Sequence, residues 1–315
     1  MSSENSSLLA RLILTCVTLM TVTVAADEAP FVVVLGTAQD AGFPQAGCRK
    51  ACCAKVWNDP DARRFATSLA VVDPKTKQRW LFDCSPDFRE QLRLLDTKSG
   101  ASAGEPLDGI FLTHAHIGHY AGMIHLGREV MGARAVPVHA MPRMRSFLAN
   151  NGPWSQLLAL KNIQLTPLKK QAAVRLNDRI TVTPLLVPHR DEFSETVGFV
   201  IAGPSRSVLF LPDIDKWSKW KTPIETVLAK VDIAYLDGTF YANGEIPGRD
   251  MSQIPHPFIE ESLSRLAKLP AAQRAKVRFI HLNHTNPALQ PGSAAARTIR
   301  SAGSNLAEQG EMQGL

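Results

Sequence analysis

The chain has 315 residues, of which 45% are hydrophobic and 20% are charged. That composition supplies enough apolar residues for a substantial core and excludes global disorder, and the length favours one large α/β domain. The net charge of +6 comes without a long Lys/Arg run or a basic stripe with aromatics, so nucleic-acid binding is not indicated. So small an excess of positive charge is interpreted as ordinary surface charge, and an anionic substrate or an acidic partner is the alternative.

The N-terminus has the pattern of an export signal. Leu12 to Val24 is almost wholly apolar, and Val24-Ala25-Ala26 precedes a polar start that contains a proline. An apolar run of about 13 residues is short for a membrane span, which needs about 20. We therefore predict that residues 1–26 are a signal peptide, that residues 27–315 form the mature domain without a transmembrane span, and that this domain is periplasmic or secreted. An uncleaved anchor is the alternative.

In the mature chain, short apolar runs that predict strands alternate with segments of helical periodicity. The predicted strands are 31–35, 68–73, 79–83, 109–113, 136–140, 180–188, 197–203, 207–211, 233–236 and 277–283. The predicted helices are 87–95, 120–131, 142–150, 223–230, 257–269 and 294–309. Strands that alternate with helices, without a linker or a short repeat, predict an α/β fold with mixed sheets.

The densest group of candidate ligands is Thr-His-Ala-His-Ile-Gly-His, residues 113–119, directly after a predicted strand. His114 and His116 are two residues apart, so an extended or turning backbone can aim both at one point. His119 begins the following segment and approaches from another direction. Neutral imidazoles are good ligands for zinc and iron, so these residues predict a metal site, with a loop of surface histidines as the alternative. The isolated His139 is interpreted as an ordinary histidine.

This motif resembles the metallo-β-lactamase superfamily, whose signature is His-x-His-x-Asp-His after a strand. The later motifs of the superfamily follow in order along nearly the whole mature chain, and are matched by Asp83, His189, Asp213 and His284. His281 competes with His284 for the last position; His284 is preferred because it lies nearer the end of the predicted strand. The resemblance implies a four-layer αββα sandwich, with two mixed β-sheets flanked by helices.

The resemblance also implies a ligand set and a reaction. The first metal would take His114, His116 and His189, the second would take His119 and His284, and Asp213 would lie between them. Zinc is expected, as one or two ions, with iron or manganese as alternatives. In that scheme a hydroxide held by the metal attacks an ester or phosphodiester-type bond. Gly118 stands where the signature has an aspartate, so we expect a single ion or a weak second site.

Residues 36–45, Gly-Thr-Ala-Gln-Asp-Ala-Gly-Phe-Pro-Gln, resemble the PqqB (coenzyme PQQ biosynthesis protein B)-like metallo-hydrolase branch of the superfamily. Three functions are therefore weighed. The leading one is a metal-dependent hydrolase acting on a small molecule. The second is a PqqB-like, iron-dependent oxidative enzyme linked to pyrroloquinoline quinone biosynthesis. The third is an exported metal-binding protein without turnover. The sequence leaves open whether the chain forms an oligomer.

Two further residues match a catalytic pair of the tRNase Z branch. Asp237 occupies the place of a glutamate there, and His256 opens a later predicted helix, as a catalytic histidine does in that branch. A carboxylate that holds a histidine makes a proton donor for a leaving oxygen, so Asp237, His256 and Asp213 are the candidate catalytic residues. The alternative is that Asp237 caps a turn and that His256 merely begins a helix.

Three cysteines within six residues form a second candidate metal site. Cys48, Cys52 and Cys53 follow the glycine-rich loop, and their thiolates could hold a structural zinc ion. Zinc needs four ligands, so the fourth would come from a distant residue such as a histidine. A disulfide and free thiols remain alternatives in an oxidising compartment. Cys84 is interpreted as a small buried hydrophobic residue.

Overall fold

The computed structural model describes residues 29–102, 105–290 and 292–315, and these residues form two seven-stranded sheets. The strands of the first sheet are β1 Phe31–Gly36, β2 Ser68–Asp73, β3 Gln78–Phe82, β4 Gly109–Phe111, β5 Val136–Ala140, β6 Ile163–Pro167 and, near the C-terminus, β14 Met312–Gly314. Those of the second sheet are β7 Val174–Arg175, β8 Thr181–Val187, β9 Thr196–Ala202, β10 Ser207–Leu211, β11 Ile233–Asp237, β12 Val277–Ile280 and β13 Asn305–Leu306.

Short helices connect the strands. The α-helices of the described residues are α1 Ala51–Ala54, α2 Phe88–Ser99, α3 Ile117–Tyr120, α4 Pro142–Asn150, α5 Trp154–Ala159, α6 Ile224–Leu228, α7 Ile259–Leu266, α8 Ala271–Arg274 and α9 Ala294–Ser301. None of the helices in this part of the chain combines the length and apolar character that crossing a membrane requires. The predicted signal peptide, residues 1–26, lies outside the described residues, so its cleavage stays a prediction.

The two sheets have the same internal plan. The first has the order β14-β1-β2-β3-β4-β5-β6, and the second has the order β13-β12-β11-β10-β9-β8-β7. In each sheet three consecutive pairs are antiparallel and three are parallel: β3 to β6 are parallel in the first, and β10 to β13 are parallel in the second. Both sheets are therefore mixed, as the sequence predicts. Parallel strands bring their carboxyl ends, and the loops that follow them, to one edge of a sheet.

The sheets pack face to face, and helices cover both outer faces. Alternate side chains of a strand point to opposite faces, so Val32 and Val34 of β1 join the core between the sheets while Val33 and Leu35 join the core under the helices. The core between the sheets includes stacked Phe82 and Phe111, with ring centroids 4.9 Å apart. This arrangement confirms the four-layer αββα sandwich.

The errors in the predicted elements have physical causes. The helix predicted over 120–131 is instead α3 followed by a 3-10 helix, Ala121–Leu126, in a segment that contains Gly122 and Gly127. The helix predicted over 294–309 ends at Ser301, just before Gly303 with φ of +85°. The strands that the sequence does not predict, β6, β7, β13 and β14, are all edge strands, where half the pairing partners are missing and the apolar pattern is weak.

Candidate metal centre

The predicted ligands from both sheets meet at one edge of the sandwich. His114, His116 and His119 follow β4 of the first sheet. The ligands from the second sheet each lie within two residues of a strand end: His189 follows β8, Asp213 follows β10 and His281 follows β12. Residues distant in sequence thus converge because the strand ends that carry them do.

The first group of ligand atoms comprises one each from His114, His116, His189 and Asp213, all within 4.8 Å of one another. Nε2 of His114 lies 2.8 Å from Nδ1 of His116 and 3.3 Å from Oδ2 of Asp213. Nε2 of His189 lies 3.8 Å from Oδ1 of Asp213. The structure therefore brings together the residues that the resemblance assigns to a first metal.

The second group comprises Asp40, His119, Asp213 and His281, again within 4.8 Å of one another. Nε2 of His119 lies 3.0 Å from Oδ2 of Asp213 and 3.3 Å from Oδ1 of Asp40. Nε2 of His281 lies 3.4 Å from each of the same two oxygen atoms. Asp213 belongs to both groups, so its carboxylate lies between them as expected.

The placement of the last histidine corrects the sequence interpretation. His281, not His284, enters the second group, and His281 is buried. The strand was predicted to reach residue 283, but β12 ends at Ile280, so His281 is the residue at the strand end. His284 lies outside both groups, and its Nδ1 is 3.1 Å from Oδ1 of Asn283. Burial lowers the pKa of His284, and the positive charge of Lys50 adds a smaller effect in the same direction.

Groups behind the histidines fix how the rings are turned. Nδ1 of His119 donates to Oδ2 of Asp83 at 2.7 Å, which leaves Nε2 pointing into the second group. Oγ1 of Thr239 lies 2.9 Å from Nδ1 of His281 and orients that ring likewise. Such partners select the tautomer and raise the basicity of a metal-ligating imidazole. Asp83 therefore lies where the resemblance implies, in hydrogen-bond contact with the histidine motif.

Several buried polar atoms at the centre have no hydrogen-bond partner among the described residues. They are Oδ1 of Asp40, Nε2 of His119, both ring nitrogens of His189, Oδ1 of Asp213 and Nε2 of His281. Buried polar atoms almost always have a hydrogen-bond partner, and those without one call for an explanation, such as a role in binding an ion. Most of these atoms are the candidate ligand atoms themselves. The donor set, imidazole nitrogens with carboxylate oxygens, fits a divalent transition-metal ion.

The electrostatics of the centre depend on burial and on these opposite charges. Burial lowers the pKa of His114 well below its ordinary value, and the neighbouring His119 adds to that effect, so His114 is a neutral imidazole. Burial alone would also lower the pKa of His119, but the carboxylates of Asp83, Asp213 and Asp40 raise it well above the ordinary value. Burial alone would raise the pKa of Asp213, but the surrounding histidines hold it well below its ordinary value.

Asp237 and His256 form the pair that the sequence predicts, directly beside the centre. Nδ1 of His256 lies 2.8 Å from Oδ2 of Asp237 and 3.2 Å from Oδ1 of Asp213. Asp237 also accepts hydrogen bonds from the backbone N–H groups of Ile214 and Thr239, so its carboxylate is held in place. Although burial lowers the pKa of His256, the charge of Asp237 outweighs it and raises that pKa to about 9.

Asp40 is the residue of the centre that the sequence interpretation missed. It lies in the loop after β1, far along the chain from the histidines, and within the residues 36–45 that resemble the PqqB-like branch, but the sequence interpretation gave it no role as a ligand. A signal was present nonetheless: an acidic residue soon after a strand end, in a chain whose signature lacks its own aspartate at Gly118. Burial tends to raise the pKa of Asp40, but His119 and His281 lower it well below the ordinary value.

The cysteine cluster lies apart from this centre, at α1. The Sγ atoms of Cys48, Cys52 and Cys53 lie within 4.8 Å of one another, and those of Cys48 and Cys52 are 3.8 Å apart. A disulfide would bring two sulfurs to about 2.05 Å, so the three side chains are thiols here. Burial is the main cause that raises the pKa of Cys53 to about 12. Cys84 is fully buried, as predicted.

Comparison with known proteins places the chain in a family. The structure of Zn(2+)-bound PqqB from Methylobacterium extorquens is similar, with a TM-score of 0.75 and 21% identity over 90% of this chain and 100% of that one. A diphosphatase from the PhnP family is similar with a TM-score of 0.64 and 23% identity, over 91% of this chain and 97% of that one. Coenzyme PQQ synthesis protein B from Xanthomonas campestris pv. campestris is 26% identical over 301 residues, 89% of this chain and 98% of that protein. The beta-lactamase superfamily domain matches residues 78–282, more than half of the chain. The chain therefore belongs to the beta-lactamase superfamily, with the metallo-β-lactamase fold, and is PqqB-like within it.

Proposed function

We propose that the protein is a metal-dependent hydrolase that cleaves an ester or phosphodiester-type bond. The observation that carries this proposal is the position of His256: it is held by Asp237 and lies 3.2 Å from Asp213, the carboxylate shared by both ligand groups. A proton donor beside a metal centre is what cleavage of a bond to a leaving oxygen needs.

The roles of the residues follow from their positions. His114, His116 and His189 would hold one ion, His119 and His281 would hold a second, and Asp213 would serve both. When bound, such ions polarise a substrate oxygen and bring the pKa of water to about 7, which makes a nucleophile available at neutral pH. Asp83 and Thr239 keep His119 and His281 turned toward the centre.

His256 would supply the proton for the leaving group. The Asp237 carboxylate keeps it protonated at neutral pH, since it raises the pKa of His256 to about 9. The same carboxylate stabilises the imidazolium and prevents the ring from rotating away from Asp213. General acid catalysis of this kind contributes about 10²–10⁴-fold to a rate.

The surroundings of the centre favour a small anionic substrate. His116 is the histidine of the first group that reaches the surface, and Nη2 of Arg190 lies 3.5 Å from its Nδ1. The Arg190 side chain is about half exposed, so its guanidinium is available to a phosphate or carboxylate group. The net charge of +6 would help to attract such a substrate.

The ion, the compartment and the cysteine site belong to the same proposal. Zinc is the metal proposed, because histidines with a carboxylate are typical zinc ligands, with iron or manganese as alternatives. The signal peptide that the sequence predicts over residues 1–26 is the basis for proposing export to the periplasm or beyond. Cys48, Cys52 and Cys53 would hold a structural zinc ion, with a fourth ligand from elsewhere.

A second candidate is a PqqB-like oxidative enzyme that uses iron. The observation that favours it is the similarity to coenzyme PQQ synthesis protein B, which extends over 89% of this chain. The same histidines and carboxylates could bind iron. An exported metal-binding protein without turnover is the third candidate, and it predicts metal content without activity.

The test is to measure metal content and turnover on the same preparation. The full chain is purified without added metal, its zinc, iron and manganese are measured, and it is assayed on chromogenic phosphodiester, ester and lactam substrates. Zinc together with phosphodiester or ester hydrolysis that His116→Ala abolishes supports the proposal. Iron with oxygen uptake favours the oxidative enzyme, and a full metal complement without any turnover favours the binding protein. Either result overturns hydrolysis.

A further inference from the structure

The second ligand group contains a carboxylate that the superfamily signature does not predict. Gly118 stands at the aspartate position of the signature, so the histidine loop contributes no carboxylate of its own. We propose that Asp40, from the loop after β1, is the carboxylate ligand specific to the second metal ion, and that residue 118 is glycine because Asp40 occupies the space of its side chain. This inference rests on the proposed function, since it assumes that the centre binds metal.

The space beside Gly118 is filled by Asp40. A Cβ added to Gly118 would lie 2.3 Å from Oδ1 of Asp40 and 2.4 Å from its Cα. Real Cβ atoms do not come this close to other heavy atoms. Rotation of the Asp40 side chain cannot relieve the contact, because the Cα atom belongs to the backbone. An aspartate at position 118 and the present course of the loop through Asp40 therefore exclude each other.

The backbone of this loop is fixed next to the second group. Ala38 forms isolated parallel bridges with Ala66 and with Leu282, the residue after His281. The N–H of Gln39 donates to the carbonyl of Leu282 at 2.9 Å. The loop is thus hydrogen-bonded to the segment that follows His281, and these bonds fix the position of Asp40.

The Asp40 side chain then completes a ligand set. Its Oδ1 lies 3.3 Å from Nε2 of His119 and 3.4 Å from Nε2 of His281, and it has no hydrogen-bond donor in good geometry among the described residues. The Nδ1 atoms of both rings face Asp83 or Thr239, so both Nε2 atoms remain available. With Asp213, which also belongs to the first group, two imidazoles and two carboxylates surround one point and offer a divalent cation four ligands.

The test counts metal ions rather than measuring activity. The full chain and its Asp40→Asn and Asp40→Ala variants are loaded with Zn²⁺ or Co²⁺, dialysed, and analysed for ions per chain. Affinity for the weaker ion is measured by competition with a chelator. Asp40→Asn keeps the size of the side chain, so this variant should fold normally, and thermal melting checks that each variant is folded. Asp61→Asn, at an exposed aspartate in the same N-terminal region, is the matched control.

We expect each Asp40 variant to hold one ion fewer than the wild-type protein, or to bind it at least about 100-fold more weakly. Combining an Asp40 substitution with His281→Ala should cost no second ion, since both residues would serve the same ion. Combining it with His116→Ala should cost a second ion, since His116 would serve the other one. Gly118→Ala should displace Asp40 and reproduce its loss. Unchanged ion content and affinity in Asp40→Asn and Asp40→Ala, while His116→Ala and His281→Ala each lose an ion, would overturn this inference alone. Unchanged content in all four variants would overturn the proposed metal centre as well.

Discussion

The two ligand groups share Asp213 but differ in the residues that they add to it. The first adds three histidines, of which His116 is 14% exposed and the other two are buried. The second adds two buried histidines, His119 and His281, together with Asp40, whose side chain is 28% exposed. The second group therefore offers a cation one carboxylate more than the first, which relies on imidazole nitrogens. Two halves of one centre can thus bind ions with different donor sets, and the extra carboxylate comes from a loop that lies far from the histidine motif in sequence.

The largest effect is expected at the residue that the two groups share. Asp213→Ala should remove the carboxylate from both groups, so we expect loss of both ions from the centre and a fall in kcat of at least about 10³-fold. Ion content and hydrolysis rate on the full chain provide the measurement. Asp178→Asn, at an exposed aspartate, is the control. If Asp213→Ala keeps both ions, the bridging position of this carboxylate is wrong.

Substitutions in one group should remove one ion and spare the other. His116→Ala and His281→Ala should each weaken the affinity for one ion by at least about 100-fold. Each should retain the ion of the other group, because among the described residues only Asp213 belongs to both groups. His284→Ala is the matched control, since it lies three residues from His281 and outside both groups. Loss of an ion from the centre in His284→Ala but not in His281→Ala would contradict the assignment, and Co²⁺ spectra of the loaded variants distinguish this centre from the cysteine site.

A change at His256 should alter turnover and leave both groups intact. His256→Asn removes the proposed proton donor, so we expect kcat to fall by about 10²–10⁴-fold. The loss should be larger for a substrate with a poor leaving group than for one with a nitrophenolate, which needs no proton to depart. Metal content should be unchanged. An equal loss for both substrates would indicate that His256 positions the centre without donating a proton.

His139 provides the smallest effect and a contrast with the histidines of the centre. Its ring stacks on Phe111 with centroids 4.1 Å apart, and burial lowers its pKa to about 4. The unfolded chain takes up a proton at this residue near pH 6.5, whereas the folded chain does so only near pH 4. Stability is therefore present above pH 6.5 and lost as the pH falls from 6.5 to 4, by up to about 3 kcal/mol.

The measurement is urea unfolding at pH 7 and at pH 4.5 for the wild-type protein and His139→Phe. The phenylalanine keeps the ring stack but cannot titrate, so the variant should lose less stability on acidification. Both proteins carry the same metal-centre groups, so the difference between them isolates His139. Equal losses of stability in the two proteins would show that His139 is not held neutral by burial.

Much of the fold and of the centre follows from local sequence patterns. The spacing of His114, His116 and His119 after a strand, and the order of the later motifs, predict the superfamily, its αββα sandwich and the convergence of His189 and Asp213. The pairing of Asp237 with His256 also follows from the motifs and is confirmed by the 2.8 Å contact. Central strands are predicted well because burial on both faces makes their sequences almost continuously apolar.

The rest of the centre could not be predicted from local patterns, because it depends on where the strands end and on which loops pack together. Residue types and their order along the chain determined that this protein has a histidine and carboxylate centre on a metallo-β-lactamase fold. The sequence does not show that His281 takes the place expected for His284, because that depends on where β12 ends, and it ends at Ile280. Nor does it show the contact of Asp40 with Gly118, because that contact depends on how the loops after β1 and β4 of the first sheet pack together and leaves no periodic pattern in the sequence.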